Sequence, residues 1–456
     1  MFAAMFAVAW PVIFGVRPRR GIVALALSAA LILQLQLEGY RWQMIPVYLV
    51  VIGLAIGDVI FIDRELRWTN RVARGVFGLL GVALAGALAF ALPVPTLPLP
   101  SGGLPIGTFS VELVDTEREE IYGPTPGGPR RLMAQVWYPS STVAGAEPAP
   151  WTADWDVVAP AAARRMGFPS WFLDHTVYTT SHTSQGTPVA SGTYPVIIYS
   201  HGWGGFRSVA VNQLEALASK GYIVIAPDHT YGSVATRFED GVVAELDVAA
   251  LPTVEEVGEE DHAEAAATLI ATYAADITSI MDELEEGQLG AFASLAASVD
   301  LERLGVYGHS AGGGAALSVC LDDERCAAVL GLDPWVEPLP DRVLRQTPTR
   351  PTLLMRSDEW RNSRNEAVLR GLAGRAEAVT YWVDVEGSGH NDFVALPLFS
   401  PVASQLGLKG PVPAGRVIPI VENYLVGFFD VFLLGTGPAN LENVTFDEVS
   451  VEIVNP

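Results

Sequence analysis

The sequence is poor in cysteine and in basic residues. Its two cysteines, Cys320 and Cys326, cannot by themselves build a disulfide framework or a four-ligand zinc site, although one bridge between them is possible. Lys and Arg together number 28 against 51 Asp and Glu, so the formal net charge is −23. Because a nucleic-acid-binding surface needs a basic patch or stripe, this balance excludes DNA and RNA as expected partners.

Hydrophobic residues are abundant, and the charge is unevenly distributed along the chain. The length of 456 residues and the hydrophobic content of 50% together predict two or more folded units. Residues 1–92 contain eight Arg and four acidic residues, a balance of +4, which leaves −27 for the rest of the chain. The N-terminal region is therefore expected to differ in kind from the acidic remainder.

The N-terminal region contains four apolar runs separated by short loops that carry arginine. The runs occupy residues 1–16, 21–37, 44–62 and 75–92. A helix needs about 20 apolar residues to cross a ~30 Å hydrocarbon layer, so the last three runs fit and the first is marginal. This pattern predicts a bundle of four transmembrane helices. A cleaved signal peptide, the alternative for the first run, would carry positive charge before the run, whereas the arginines here follow it.

The loops between these runs predict an orientation and a domain order. Arginine is concentrated in the loops at residues 17–20 and 64–74, which are therefore expected in the cytoplasm. The chain is then expected to leave the last span outward, as an integral membrane protein with the bilayer as a partner and an extracytoplasmic domain. The expected order continues with a Pro-rich linker at 93–105, a folded domain at 106–436 and an acidic tail at 437–456.

From residue 106 onward, short apolar or β-branched runs alternate with helical patterns. Strand-like runs include residues 195–200, 303–307 and 328–332, and a helical pattern covers 208–220. Such alternation predicts an α/β fold with a doubly wound, mostly parallel sheet covered by helices on both sides. The turn-rich and aromatic stretch from 148 to 192 is expected to be an insertion over one edge of the sheet, and its aromatic residues are expected to pack its core.

The sharpest motif is Gly-Val-Tyr-Gly-His-Ser-Ala-Gly-Gly-Gly at residues 305–314, which contains G-x-S-x-G between an apolar strand and an Ala-rich helix. A serine nucleophile needs a sharp turn that exposes its hydroxyl above the sheet. Gly308 and Gly312 lack the side chains that would clash in such a turn. The motif therefore identifies Ser310 as the candidate nucleophile.

A serine at its ordinary pKa is a poor nucleophile, so a general base and an orienting acid are needed. Only His390 follows Ser310 in the chain order Ser, acid, His. Two carboxylates end successive strands, Asp333 after residues 328–332 and Asp358 after residues 352–355. Either could orient the imidazole, and spacing alone leaves the choice between them even.

The candidate nucleophile also requires backbone donors for the negative oxygen that develops during acyl transfer. Ser-His-Gly-Trp-Gly-Gly at residues 200–205 follows a strand at the position where α/β-hydrolases carry an HG-type loop. The N–H groups of Trp203 and Ala311 are the expected donors. His201 is expected to be a structural hydrogen-bonding residue.

The chain from Val136 to the C-terminal helix resembles the plasma-type platelet-activating factor acetylhydrolase family of α/β-hydrolases. The resemblance rests on five segments in the same order: Val-Trp-Tyr-Pro at 136–139, Tyr-Pro-Val-Ile-Ile-Tyr-Ser-His-Gly at 194–202 with Phe206-Arg207 after it, Gly-His-Ser-Ala-Gly-Gly at 308–313, Leu-Asp-Pro-Trp at 332–335 and Gly-Ser-Gly-His at 387–390. It implies Asp333, and not Asp358, as the acid, and Trp203 and Ala311 as the backbone donors. It also implies calcium-independent hydrolysis of phospholipids with short or oxidised acyl chains, without a metal or cofactor.

These features predict a membrane-anchored serine hydrolase that cleaves carboxylic esters, including short-acyl or oxidised phospholipids, through Ser310, His390 and Asp333. Two alternatives remain open at this stage. A membrane-bound acyltransferase would use the same nucleophile and differ in what removes the acyl group. A non-catalytic membrane receptor or scaffold would retain the fold without turnover.

Overall fold

The computed structural model describes residues 21–60, 68–141, 145–437, 441–443 and 445–455. The chain divides into two compact units. The first consists of Met1–Pro95 with the segments Asp174–Tyr178 and Phe399–Val402. The second consists of Thr96–Leu173, Thr179–Leu398 and Ala403–Pro456.

The described part of the first unit is helical. It contains α1 (Ile22–Leu37), α2 (Ile45–Ile60) and α3 (Trp68–Ala91). These helices share a small apolar core that includes Leu27, Val47, Val82 and Ala85.

The predicted transmembrane bundle is wrong. None of the helices in the described part of the chain combines the length and the apolar composition that a membrane span requires. Helix α1 has 16 residues and so rises about 24 Å, less than the ~30 Å hydrocarbon layer. Helix α3 has 24 residues, but Arg71 and Arg74 fall within it and leave a shorter apolar part. The expected integral-membrane location, extracytoplasmic domain and bilayer partner depended on this bundle and are not supported either. The predicted run at 1–16 lies outside the described residues.

The second unit is built on strands, which are bounded as follows: β1 (Ile106–Glu119), β2 (Pro129–Pro139), β3 (Pro148–Pro150), β4 (Thr180–Gln185), β5 (Tyr194–Ser200), β6 (Ile223–Asp228), β7 (Ala235–Arg237), β8 (Val243–Glu245), β9 (Val299–His309), β10 (Cys326–Leu332), β11 (Thr352–Ser357), β12 (Thr380–Val385) and β13 (Val449–Asn455). Within the described residues, eleven strands form one sheet in the order β13-β12-β11-β10-β9-β5-β6-β2-β1-β4-β3. The six adjacent strands from β12 to β6 run parallel, whereas β2 and β13 are antiparallel to their neighbours β6 and β12. Strands β7 and β8 form a separate hairpin.

Helices cover both faces of this sheet. The helices of the second unit are α4 (Trp155–Arg165), α5 (Val211–Lys220), α6 (Val254–Val257), α7 (Glu259–Glu285), α8 (Ala311–Asp322), α9 (Asp341–Leu344), α10 (Arg364–Ala373) and α11 (Ala414–Phe432). Apolar residues of α7 and α8 belong to one core cluster, and those of α5 and α11 belong to the other. The predicted α/β fold with a large, mostly parallel sheet is therefore confirmed.

Two features of the second unit extend the sequence-based description. Residues 148–192 contribute β3, α4 and β4, so the expected insertion does lie at one edge of the sheet. Within the segment expected as an acidic tail, Val449–Asn455 form β13 and pair with β12. Cys320 at the end of α8 and Cys326 at the start of β10 form a disulfide.

The parallel strands define where a site can form. Because parallel strands end at the same edge of a sheet, the loops after β5, β9, β10, β11 and β12 lie next to one another. These loops carry Trp203, Ser310, Asp333, Asp358 and His390, which are the residues that the sequence singles out.

Candidate active site

Ser310 occupies a strained turn between β9 and α8. Its backbone has φ 58° and ψ −123°, outside the regions that residues with a side chain normally occupy, at a cost of about 1–3 kcal/mol. Three hydrogen bonds hold this conformation. The Ser310 N–H donates to the Leu332 carbonyl at 3.1 Å, and the Ser310 carbonyl accepts from Gly314 and Trp335 at 3.0 and 2.9 Å.

The glycines of the motif permit this tight turn. A Cβ atom on Gly308 would lie 2.3 Å from the carbonyl oxygen of Gly312, and one on Gly312 would lie 2.2 Å from the carbonyl oxygen of Ser200. A Cβ atom on Gly202 would lie 2.9 Å from the Cβ of Ser310. The loop after β5 therefore packs directly against the serine turn.

Asp333 and His390 form a hydrogen-bonded pair. The distance from His390 Nδ1 to Asp333 Oδ2 is 2.9 Å, and the Asp333 side chain is fully buried. Ser357 donates to the same carboxylate twice, from its N–H at 3.0 Å and from its hydroxyl at 2.5 Å. Burial acts to raise the pKa of Asp333, but the hydrogen bond and charge of His390, together with Ser357, outweigh it and lower that pKa.

Asp358, the alternative acid, is engaged elsewhere. Its Oδ2 accepts a hydrogen bond from the N–H of Gly387 at 2.6 Å, and its carboxylate pairs with Arg361 at 2.7 Å. The Asp358 N–H donates to the carbonyl of Ser388 at 3.2 Å. The structure thus brings Asp333, and not Asp358, to the imidazole, while Asp358 holds the loop that carries it.

His309, which directly precedes Ser310 in the chain, contacts His390. The His309 Nε2–H donates to the carbonyl of His390 at 2.9 Å, and the two imidazole centroids are 4.5 Å apart. Burial, followed by the nearby His390, lowers the pKa of His309 to about 3, so its ring is neutral. Among the described residues no hydrogen bond joins the Ser310 hydroxyl to His390, and such bonds are often long in an enzyme without substrate.

The predicted backbone donors lie on either side of the serine turn. Ala311 is the first residue of α8, where helical N–H groups lack intrahelical partners, and Trp203 directly follows Gly202. Neither N–H donates any of the turn and loop hydrogen bonds found in the described ranges. The two predicted donors therefore belong to residues next to the Ser310 turn, Ala311 in the chain and Trp203 beside the contact that Gly202 makes.

The loop after β5 is braced by His201. Its Nδ1–H donates to the carbonyl of Gly202 at 2.7 Å, while its Nε2 accepts from the N–H of His229 at 3.1 Å. Because a carbonyl only accepts, this arrangement assigns the proton to Nδ1. Burial and the neighbouring His229 hold the pKa of His201 well below its ordinary value. His201 is thus a neutral residue that orients the peptide group between Gly202 and Trp203, to which the Trp203 N–H belongs.

Further along the same loop, Arg207 and Phe206 anchor it to the insertion. The buried Arg207 side chain forms ion pairs with Asp228 and Asp154. Phe206 packs against the stacked rings of Trp151 and Trp155, with centroid distances of 6.2 and 5.9 Å. Both tryptophans are buried, as expected for the core of the insertion, whereas Trp171 in the same insertion is exposed.

A second Ser-His-Asp arrangement was not evident from the sequence. The Ser200 hydroxyl lies 2.8 Å from His229 Nε2, and His229 Nδ1 lies 2.9 Å from Asp276 Oδ2. All three side chains are fully buried. Asp276 also accepts from Arg130 at 2.7 Å, and although burial acts to raise its pKa, Arg130 and His229 lower it. The one signal in the sequence is an acidic residue on the apolar face of a helical pattern.

Three buried histidines predict an acid-sensitive fold. The pKa of His309 is lowered to about 3, and burial lowers those of His201 and His229. Below their ordinary value of 6.5, the unfolded chain binds protons that the folded chain does not. The free energy of unfolding should therefore fall with decreasing pH, by up to about 1.4 kcal/mol per pH unit for each histidine.

Urea denaturation at several pH values between about 7.5 and 5 measures this slope. The matched control is His309→Gln, which removes one of the three titrating groups and should reduce the slope by up to about 1.4 kcal/mol per pH unit, most strongly near pH 5. A free energy of unfolding that is independent of pH over this range would contradict the assignment of neutral buried histidines.

Comparison with known proteins identifies the family. A family model described as platelet-activating factor acetylhydrolase, isoform II, matches residues 135–433, about two thirds of the chain. The chain belongs to this family. Similar members are the platelet-activating factor acetylhydrolases of Cavia porcellus, with 26% identity over 266 residues, and of Bos taurus, with 28% identity over 265 residues. These matches cover 54% and 53% of the chain and 59% and 57% of the relatives, so the chain spans about six tenths of their length.

Solved structures give a fold neighbour that agrees with this family. The ferulic acid esterase from Streptomyces cinnamoneus has a TM-score of 0.64 and 26% identity, and the match covers 78% of this chain and 99% of the esterase. The platelet-activating factor acetylhydrolase family and this esterase agree with the sequence-based prediction of a carboxylic ester hydrolase.

In the ranges that the structure describes, no cluster of three or more His, Cys, Asp or Glu side chains is arranged to hold a metal ion.

Proposed function

We propose that the chain is a serine hydrolase of carboxylic esters in which Ser310 is the nucleophile, His390 the general base and Asp333 the orienting acid. The observation that carries this proposal is the 2.9 Å bond between a buried Asp333 and His390, next to the strained turn at Ser310. The roles follow from chemistry, because a carboxylate that accepts from Nδ1 leaves Nε2 as the base.

In the acylation step, the Ser310 hydroxyl attacks the ester carbonyl while His390 Nε2 takes its proton. Asp333 is ionised and stabilises the imidazolium through its bond to Nδ1. The carbonyl oxygen becomes negative in the tetrahedral intermediate, and the amides of Trp203 and Ala311 stabilise it. The intermediate then expels the alcohol, which takes the proton from His390. An acyl group remains on Ser310.

In the deacylation step, water replaces the alcohol. His390 removes a proton from the water, which attacks the acyl carbonyl and forms a second tetrahedral intermediate at the same amides. The acid leaves and Ser310 regains its proton. No residue outside the site is required for either step.

Ser200 is the competing serine, since its bonds to His229 and Asp276 have the pattern of a catalytic triad. Its side chain is fully buried at the end of a central strand, and so are those of His229 and Asp276. An ester carbonyl cannot reach this hydroxyl without displacing the surrounding core. Burial therefore favours Ser310, whose turn projects from the strand end.

The proposed substrates are esters with short acyl groups, including phospholipids with short or oxidised acyl chains. Support comes from the names of the relatives, which describe removal of an acetyl group from platelet-activating factor. The fold neighbour is named for a different ester, that of ferulic acid. A comparison of substrates must therefore include a short aliphatic, a long aliphatic and an aromatic acyl group.

Purified protein is expected to hydrolyse p-nitrophenyl acetate and 2-acetyl phosphatidylcholine with kcat/KM at least about tenfold above that for the palmitoyl analogues, because a pocket shaped for a short chain excludes a long one. Ser310→Ala, assayed in parallel, controls for background hydrolysis. Equal rates for acetyl and palmitoyl esters, or a preference for methyl ferulate, would contradict the short-acyl assignment. Acyl transfer without any free acid when no acceptor alcohol is present would instead indicate an acyltransferase.

A further inference from the structure

The loop after β11 contacts the loop that carries His390 through a stacked ring and through hydrogen bonds. We use the term clasp for residues 358–360 of this loop. The Trp360 ring lies flat on the imidazole of His390, with a centroid distance of 4.2 Å and an angle of 7° between the planes. The backbone N–H of His390 donates to Glu359 Oε2 at 2.7 Å. The clasp therefore contacts both the ring and the backbone of the proposed base.

The remaining contacts of the clasp fix the loop on either side. The Asp358 carboxylate accepts from the N–H of Gly387, and the Asp358 N–H donates to the carbonyl of Ser388. On the opposite side, His309 donates to the carbonyl of His390 at 2.9 Å. The base thus has a fixed backbone, and its ring is held at Nδ1 by Asp333 and across one face by Trp360.

A stacked indole has a different effect on the two charge states of an imidazole. The face of an aromatic ring carries negative electrostatic potential, and tryptophan attracts a cation over its face more strongly than tyrosine or phenylalanine. In the proposed reaction the imidazole is neutral in the free enzyme and becomes an imidazolium as it takes the serine proton. A contact that is stronger in that charged state lowers the barrier.

We propose that Trp360 is a positioning residue that holds the plane of the His390 imidazole and stabilises its protonated form, while Glu359 fixes its backbone. This inference rests on the proposed function, since it assigns Trp360 a part in the proton transfer from Ser310. It differs from a purely structural role because it predicts a change in the pH dependence of turnover.

Other charged groups around His390 would also affect that pH dependence. They include Asp333 at Nδ1, with Arg356 3.5 Å from that carboxylate, His309 beside the ring, and Glu359 and Asp358 along the backbone. Asp392 accepts from the N–H of Gly389 at 2.7 Å and pairs with Lys409 at 3.1 Å. His309 is neutral in the working range because burial lowers its pKa to about 3. Substitutions at Trp360 leave all of these groups in place, so a shift between variants reports the loss of the indole.

The test is the pH profile of kcat and kcat/KM for p-nitrophenyl acetate in wild type and in Trp360→Tyr, Trp360→Phe and Trp360→Leu. In Trp360→Leu the acid limb of kcat/KM should move to lower pH by about 0.5 to 1 unit, and plateau kcat should fall about three- to tenfold, with KM changed less than twofold. Tyr and Phe should give intermediate positions. The matched control is Phe238→Leu, which removes the ring under Arg131 at 4.1 Å and should leave the limb unchanged.

The outcomes separate this inference from the proposed function. If Ser310→Ala retains wild-type turnover, both the proposed function and the role of Trp360 are overturned. If Ser310 is essential but the acid limb stays fixed across the Trp360 series, or if only KM changes, the role of Trp360 alone is overturned. If circular dichroism shows that Trp360→Leu does not fold, the positions of the acid limb of kcat/KM in wild type, Trp360→Tyr and Trp360→Phe decide the question.

Discussion

Replacing Ser310 with alanine is expected to lower kcat for ester hydrolysis by about 10⁴-fold or more, because the acyl-enzyme cannot form. The matched control is Ser200→Ala, which disrupts the buried arrangement with His229 and Asp276. We expect Ser200→Ala to keep kcat within about tenfold of wild type. It should also lose about 1–3 kcal/mol of unfolding free energy, because His229 Nε2 is left without its partner.

The two serine variants are compared in initial-rate assays with p-nitrophenyl acetate, after circular dichroism has shown that both are folded. If Ser200→Ala abolished turnover while Ser310→Ala retained it, the buried serine would be the nucleophile and the assignment at the strand turn would be wrong.

Replacing Asp333 with asparagine is expected to reduce kcat by about 10³- to 10⁴-fold. The asparagine oxygen or nitrogen would still fill the site between Ser357 and His390. An amide, however, can donate a hydrogen bond to Nδ1, which places the imidazole proton on Nε2. Nε2 then cannot accept the serine proton. It also removes the negative charge that stabilises the imidazolium.

The matched control for this prediction is Asp358→Asn, on the neighbouring strand end. Asp358 contacts the backbone of the His390 loop and not the imidazole, so we expect a loss of less than about tenfold in kcat. The kcat values of the two variants at a single pH on the plateau decide between the acids. A larger loss in Asp358→Asn than in Asp333→Asn would contradict the assignment of Asp333.

Much of the sheet and part of the site could be predicted because local patterns determine them. Alternating strand and helix signals led to a large, mostly parallel sheet, and the G-x-S-x-G motif marked the turn at Ser310. Chain order then left His390 as the candidate base. Asp333 and Asp358 could not be separated by spacing, since both follow parallel strands, and only the resemblance to a family favoured Asp333.

The rest of the site depends on residues that are distant in sequence. Ser200, His229 and Asp276 meet only because β5, β6 and α7 are neighbours in the fold, and the motif that contains Ser200 gives no indication of its two partners. Trp360 has an ordinary loop context, so its stacking on His390 could not be predicted without knowing how two strand ends adjoin. Contacts of this kind follow from topology and not from local composition.

The error in the N-terminal region has a physical origin as well. Counting apolar residues gave a run of 17 residues at 21–37, but α1 has 16 residues and is too short to span. The segment 64–74 was expected to be a loop, but Arg71 and Arg74 lie within α3. Apolar composition alone therefore did not fix where these helices begin and end.

Fluorophosphonate labelling followed by peptide mapping tests the central claim most directly. The probe forms a stable phosphonyl ester only with a serine that is both accessible and activated by a base. We expect one label on wild-type protein, located on Ser310, and no label on Ser310→Ala. Label on Ser200, or label that persists in Ser310→Ala, would contradict the assignment of Ser310 as the nucleophile.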